Sequence, residues 1–269
     1  MQFLFLGDVV GEMGMQLVAR YLPALKKEFK PQVTIVNGEN TTKSGRGITQ
    51  KLFKDLMKAG ADVVTLGNHA WNNQEIFSFI DQTPNLLRPL NYPGQDVPGH
   101  GWTQLNVNGT QVAVINLQGR VFMEATDDPF AAIDQLVTEL QAANVNVIFV
   151  DFHAETTSEK KALGLFLDGR VSAVVGTHTH VQTNDPQVLA HGTGFLTDAG
   201  MTGPATGVIG MEYQPVIQKF LTARPNRFAV QTTGAGILSG CVVNVDAHTG
   251  RAKKVRTILI DQDHPYQNV

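Results

Sequence analysis

Five short apolar runs in this chain each stop abruptly at a group of polar residues, and that repeated pattern constrains the fold more than anything else in the sequence. Phe3-Leu4-Phe5-Leu6 ends at Gly7-Asp8. Val33-Thr34-Ile35-Val36 ends at Asn37-Gly38-Glu39-Asn40, and Asp62-Val63-Val64-Thr65-Leu66 at Gly67-Asn68-His69. Val147 to Val150 leads to Asp151-Phe152-His153, and Val171 to Val175 to Gly176-Thr177-His178-Thr179-His180. Apolar runs of this length, rich in β-branched residues, read as buried strands. Between them lie segments with helical spacing: residues 14–29, Gln50 to Ala59, Asp128 to Ala142, and a stretch opened by Thr157 or Ser158 that runs to Leu167. Thr49 is placed to cap the second helix and Gly60 to stop it.

Strands alternating with helices predict an α/β fold with parallel pairing, in which reactive groups gather beyond the carboxyl ends of the strands. Hairpin signals come later in the chain. Gln104 to Val107 and Gln111 to Asn116 flank Asn108-Gly109, a strong two-residue turn, and Gly236 to Val245 and Ala252 to Ile260 pair around His248-Thr249-Gly250. With no repeat, low-complexity segment or linker, the expectation is one domain over residues 1–269, built as two sheets sandwiched between helices.

Composition removes several classes of function. A net charge of −3 is not the basic footprint of a protein that wraps duplex nucleic acid. No apolar stretch approaches the roughly 20 residues needed to cross a bilayer, and the N-terminus has no basic segment leading into a long apolar run. A soluble, cytoplasmic protein is expected. The one cysteine, Cys241, excludes an intramolecular disulfide and reads as an inert thiol in a buried strand.

The strand ends together offer Asp8, Glu39, Asn40, Asn68, His69, His153, His178 and His180. Neighbouring strands lie about 4.8 Å apart, so residues at their ends can converge. Without thiolates the set does not suit a cysteine-type zinc site. Mixed imidazole and carboxylate donors suit iron or manganese, with zinc also accommodated. Leaving His69 aside, seven candidate ligands are too many for one closed tetrahedral site and fit two ions that share a carboxylate. Each element alone has a plainer reading: a turn at Gly7-Asp8, a loop-capping pair at Glu39-Asn40, an exposed polar loop at 176–180. Their joint occurrence at successive strand ends carries the argument.

At these positions the sequence resembles the calcineurin-like metallophosphoesterase superfamily, which shows in the same order an Asp, an acidic residue, Gly-Asn-His, a lone His and a final Gly-His-x-His. It departs from the common Asp-x-His, having Asp8-Val9-Val10, and has Glu39-Asn40 where an Asp is usual. Those departures, with Gly45-Arg46-Gly47-Ile48-Thr49, Arg88-Pro89-Leu90-Asn91-Tyr92-Pro93 and the run from Thr197 to Pro204, resemble the YmdB-like bacterial phosphodiesterase branch, which acts on cyclic nucleotides. The resemblance implies a four-layer αββα sandwich of two mixed sheets. It also implies that Asp8, Glu39, Asn40 and His180 hold one ion and Glu39, Asn68, His153 and His178 the other. The resemblance further implies that Asn68 and His69 contact substrate, with His69 as proton donor to the leaving oxygen, and that the nucleophile is a hydroxide between the ions.

The expected activity is hydrolysis of a cyclic nucleotide or similar small phosphodiester. A phosphomonoesterase or nucleotidase, or a non-catalytic metal-binding regulator, is the alternative, and a homo-oligomer is expected. Other residues stay open. Arg46 is a phosphate contact or a solvated loop residue, and Arg88 an ion-pair partner or a substrate contact. Trp71, Tyr92 and Trp102 either pack in the core or stack on a base, and the Thr197 to Pro204 run is a mobile substrate loop or an ordinary connector.

Overall fold

The computed structural model describes residues 1–94 and 96–267. In chain order the first half contains β1 (Gln2–Leu6), β2 (Asp8–Val9), α1 (Gly11–Phe29), β3 (Val33–Asn37), α2 (Gln50–Ala59), β4 (Val63–Thr65) and, after two short 3-10 turns, β5 (Leu86–Leu87). Then come β6 (Trp102–Val107), β7 (Thr110–Gln118), α3 (Pro129–Ala142), β8 (Val147–His153), α4 (Thr157–Phe166), β9 (Ala173–Thr177), β10 (Gln187–Val188) and β11 (Gly194–Leu196). The chain ends with β12 (Met201–Pro204), α5 (Tyr213–Thr222), β13 (Gly236–Val245) and β14 (Ala252–Ile260).

The strands form two mixed sheets. One has the order β2-β12-β13-β1-β3-β4-β5, with β14 on β13; the other is β10-β11-β9-β8-β7-β6. Strand alternation explains how they stack. In β1, Phe3 and Phe5 share a core with Val112 and Phe149 of the other sheet. Leu4 and Leu6 point the opposite way, onto Val18 and Leu22 of α1 and Phe53 and Leu56 of α2. In β8, Val147 and Phe149 face the first sheet, whereas Ile148, Val150 and Phe152 pack on Ile133 and Val137 of α3 and Leu163 of α4. The result is helix, sheet, sheet, helix: the four-layer architecture expected.

Helix ends follow their capping chemistry. Thr49 accepts the Leu52 N–H, and Gly60 closes α2 in the left-handed region at φ 118°. Asp128 accepts the Phe130 and Ala131 N–H groups to open α3. The cap of α4 is Thr156, one residue before the expected start, and Glu159 follows it at the capping-box spacing. α1 begins at Gly11, ahead of its first apolar helical residues. β8 and β9 run further than their apolar stretches, to His153 and Thr177. Polar side chains there remain in the strand because the ladder between β8 and β9 continues through the His153–Thr177 pair.

Three open readings are resolved. The Thr197 to Pro204 run is a buried connector: Thr197 and Asp198 are buried, and Met201–Pro204 is strand β12, paired with β2 and β13. Among the described residues the Arg88 guanidinium meets main-chain carbonyls and no carboxylate. It donates to the carbonyls of Pro89, Leu90 and Pro98 and so ties Pro98 to the start of the segment. Trp102 packs on the α3 core. Cys241 is fully buried in β13, and burial pushes its thiol up to about 12, which keeps it unreactive. Among the described residues no helix is long and apolar enough to cross a membrane.

The Phe149 ring lies 5.3 Å from that of Phe3 and 5.4 Å from that of Phe5, fastening the two sheets together. Phe149→Ala should therefore cost about 3–5 kcal/mol of stability. Urea denaturation would measure it, and a loss below about 1 kcal/mol would show that the inter-sheet core repacks.

Candidate metal centre

The inner faces of the strands change character along their length. Towards the carboxyl end, Val33 and Ile35 give way to Asn37, Val63 to Thr65, Val112 and Val114 to Asn116 and Gln118, Val147 and Phe149 to Asp151 and His153, and Ala173 and Val175 to Thr177; all of these side chains are buried. One end of the sandwich interior is therefore polar, and the predicted site residues emerge there.

Glu39, His153 and His178 form its centre, each offering a ligand atom within 4.8 Å of the others. Around His153 Nε2 stand Asn68 Oδ1 at 2.9 Å, His178 Nδ1 at 3.1 Å and Glu39 Oε1 at 3.2 Å. One ring hydrogen serves one acceptor well, so three acceptors around one nitrogen suit a cation better than a proton. Asp8 borders the group. Its Oδ1 is 3.9 Å from His153 Nδ1, and its Oδ2 accepts the His178 N–H at 3.1 Å.

His69 enters through its backbone, whose N–H donates to Glu39 Oε2 at 3.1 Å, while its ring Nδ1 meets Asn72 Oδ1 at 2.7 Å. Asn40 donates through Nδ2 to the Gly45 carbonyl at 2.9 Å. His180 Nδ1 lies 2.9 Å from the Ile209 carbonyl, and its charge is felt at Asp8. The structure thus draws Asp8, Glu39, Asn68, His153 and His178 into direct contact and ties His69 to them, with Asn40 and His180 held by neighbouring loops.

Two oxygens test whether a metal fits. Asp8 Oδ1 and Asn40 Oδ1 are buried and have no hydrogen-bond partner. An unsatisfied buried acceptor is costly, and a carboxylate more so. Both side chains are among the predicted ligands, and the donors around them are hard oxygen and imidazole nitrogen. The residues fit.

The support beneath the site was less legible in the sequence. Thr177 Oγ1 donates to Asp151 Oδ1 at 2.7 Å, so it receives the His153 Nδ1 hydrogen at 2.9 Å and leaves Nε2 directed at the cluster. Asp151 is steadied by the Thr65 hydroxyl and the Asn37 amide. Burial pushes its carboxyl up to about 7, while those hydroxyls and His153 pull it back. The available signal was period two: Asp151 shares a strand face with His153. Glu155 Oε2, 3.1 Å from His178 Nε2, orients that ring from the other side.

The ligand loop carries strain, with His178 at φ 101° and His180 at φ 64°. Between them Thr179 is anchored by its N–H and hydroxyl to Asp198 Oδ2, which also receives the Lys160 ammonium at 2.6 Å. That ion pair is fully buried and far apart in sequence, so no local motif announces it.

Charge is unevenly distributed among the site groups. Burial alone would depress His153, but the Glu39 carboxylate, with Asp8 and Asp151, pushes it up to about 9. Against its own burial, Glu39 is held down at about 2 by His153 and His69. Burial, then the His153 charge, lowers His178 to about 3 and leaves it a neutral imidazole. Burial raises Asp8, and His180 and His153 oppose it.

Comparison with known proteins places this geometry in context. A family model described as YmdB-like protein matches residues 4–258. A 2',3'-cyclic-nucleotide 2'-phosphodiesterase of Bacillus subtilis (strain 168) is 51% identical over 266 residues, spanning 99% of both chains. The crystal structure of a novel phosphatase from Mycoplasma pneumoniae has a TM-score of 0.91 at 33% identity, covering 97% of this chain and 93% of that one. A hypothetical protein from Thermus thermophilus has a TM-score of 0.90 at 38% identity, covering 97% of this chain and 99% of that one.

The charge distribution sets a pH dependence for the metal-free protein. His153 is raised above its ordinary 6.5, so its contribution to stability is complete below about 6.5 and is lost as pH rises through about 9. The urea midpoint measured with chelator present should fall between pH 7 and pH 9.5. Metal binding at pH 7 should displace about one proton from His153, read by calorimetry in buffers of different ionisation enthalpy. No proton release would mean that His153 is not a ligand.

Proposed function

Because this chain belongs to the YmdB-like protein family, whose model spans residues 4–258, we propose that it is a metal-dependent phosphodiesterase that hydrolyses cyclic nucleotides or related small phosphodiesters. The observation that carries the proposal is the convergence of Glu39, His153 and His178 at the polar end of the sandwich, with the unpartnered Asp8 oxygen beside them. The named activity of the Bacillus relative supports the substrate class.

Asp8, Glu39, Asn40 and His180 would hold one ion, and Glu39, Asn68, His153 and His178 a second, with Glu39 shared. Donors of this kind, without a thiolate, favour iron or manganese and accommodate zinc. Bound there, such ions supply positive charge for the phosphate oxygens and lower the pKa of water to about 7.

The chain's own residues do the remaining work. Asp151, through Thr177, keeps the His153 Nδ1 hydrogen directed inwards. Glu155 and the strained loop fix the direction of His178. To act as the proton donor His69 must carry a hydrogen on each ring nitrogen: the one on Nδ1 is held by Asn72 Oδ1 at 2.7 Å, and the one on Nε2 passes to the leaving oxygen, which returns the ring to its neutral form. The amide link from His69 to Glu39 keeps that proton donor in register with the shared carboxylate.

His69→Ala should retain metal and lower turnover by about 10²–10⁴-fold; elemental analysis and steady-state kinetics check the two halves. The reaction class is tested with metal-loaded enzyme, bis-p-nitrophenyl phosphate, p-nitrophenyl phosphate and a panel of cyclic nucleotides. Turnover confined to diesters is the expected result. Turnover of the monoester alone would favour a phosphatase, and none at all a metal-binding regulator.

A further inference from the structure

A cavity of about 720 Å³ opens beside Asn68, within the range of small-molecule sites. Its walls are unlike those of the metal centre. Trp71 and Tyr92 stand on one side, their rings 5.4 Å apart, and the Tyr92 hydroxyl donates to the Gly67 carbonyl at 2.8 Å, one residue before Asn68. Pro93, Gly94, Val97 and Pro98 extend the lining beyond Tyr92. Glu124 and Asp96 are exposed in the lining, and the described lining contains no Lys, Arg or His. Such a cavity repels a second phosphate and receives a flat, neutral group that brings its own N–H donors.

Gln118 makes the cavity a built site. The residue is 1% exposed, lines the cavity, and its side-chain oxygen has no hydrogen-bond partner. Its position is fixed, because its N–H donates to Asn91 Oδ1 at 2.9 Å and its carbonyl accepts from Asn91 Nδ2 at 2.8 Å. In the β7–β8 ladder it pairs with His153. A buried acceptor thus lines the cavity on the residue whose backbone pairs with His153.

We propose that this cavity is the nucleoside subsite of the enzyme. The inference rests on the phosphodiesterase reading above and specifies its substrate. With the phosphate at the His153 cluster, the ribose is the next group along, and Gln118 Oε1 accepts a hydrogen from a ribose hydroxyl. The base lies against Trp71 and Tyr92, and Glu124 and Asp96 accept its N–H groups. A carboxylate can take two parallel hydrogen bonds. Guanine, which offers a ring N–H and an exocyclic amino group on one edge, is favoured over uracil, which offers a single N–H.

The test compares kcat/KM of the metal-loaded enzyme for guanosine and uridine 2',3'-cyclic phosphates and for methyl p-nitrophenyl phosphate, which has neither sugar nor base. Gln118→Met keeps the volume and removes the acceptor. It should reduce the ratio of either nucleotide to the simple diester by on the order of tenfold. Asp96→Asn combined with Glu124→Gln should erase the preference for guanosine and spare the uridine ratio. Unchanged ratios in these variants would overturn the inference while leaving diester hydrolysis intact. Should no substrate turn over, the phosphodiesterase reading falls, and guanosine binding still tests the cavity through quenching of Trp71 fluorescence in a Trp102→Phe background. Saturable quenching that Gln118→Met weakens supports the subsite, and its absence overturns it.

Discussion

Three carboxylates, Asp8, Glu39 and Asp151, are buried together at one end of the sandwich, and the rest of the structure is arranged around that cost. Charges taken out of water without compensation are unfavourable by several kcal/mol each. The fold compensates in layers. Asp151 receives hydroxyl and amide hydrogens from three strands. Glu39 shares its charge between His153 and the His69 amide. Asp8 keeps an oxygen without a partner. What is left uncompensated is negative and is directed at one point, where a cation is the natural counterpart.

The sandwich makes this concentration possible because its interior changes along the strands. Where the sheets meet through Phe3, Phe5 and Phe149 the interior is apolar and closely packed. A few residues further along the same strands it is lined by amides, hydroxyls and ring nitrogens. Stability and function are thus read from successive positions of one strand face, as in β8, where Phe149, Asp151 and His153 follow at intervals of two.

Much of this was legible in the sequence, for identifiable reasons. Apolar runs broken by Asp8, Glu39, Asn68, His153 and His178 locate strand ends, and strand ends converge. The hairpin at Asn108-Gly109 and the cap at Thr49 are local chemistry and fell where local chemistry put them. What escaped depends on contacts between distant residues. Lys160 with Asp198, Glu155 with His178, and the Arg88 guanidinium among backbone carbonyls leave no mark at any one position. Arg88 illustrates the limit: a charged residue beside a proline suggests a partner of opposite charge, and the fold instead uses all its donors on the main chain.

The carboxylate of Glu39 has one oxygen on an imidazole of the second sheet and the other on a main-chain amide of the loop that follows β4 of the first. It is consequently a mechanical joint as well as a charge. Removing any one of Glu39, His69 or His153 shifts the reference position of the others, so deletion energies for these three residues will not sum. Their interdependence is itself a quantity, obtainable from paired substitutions, and it measures how rigidly one sheet is registered on the other.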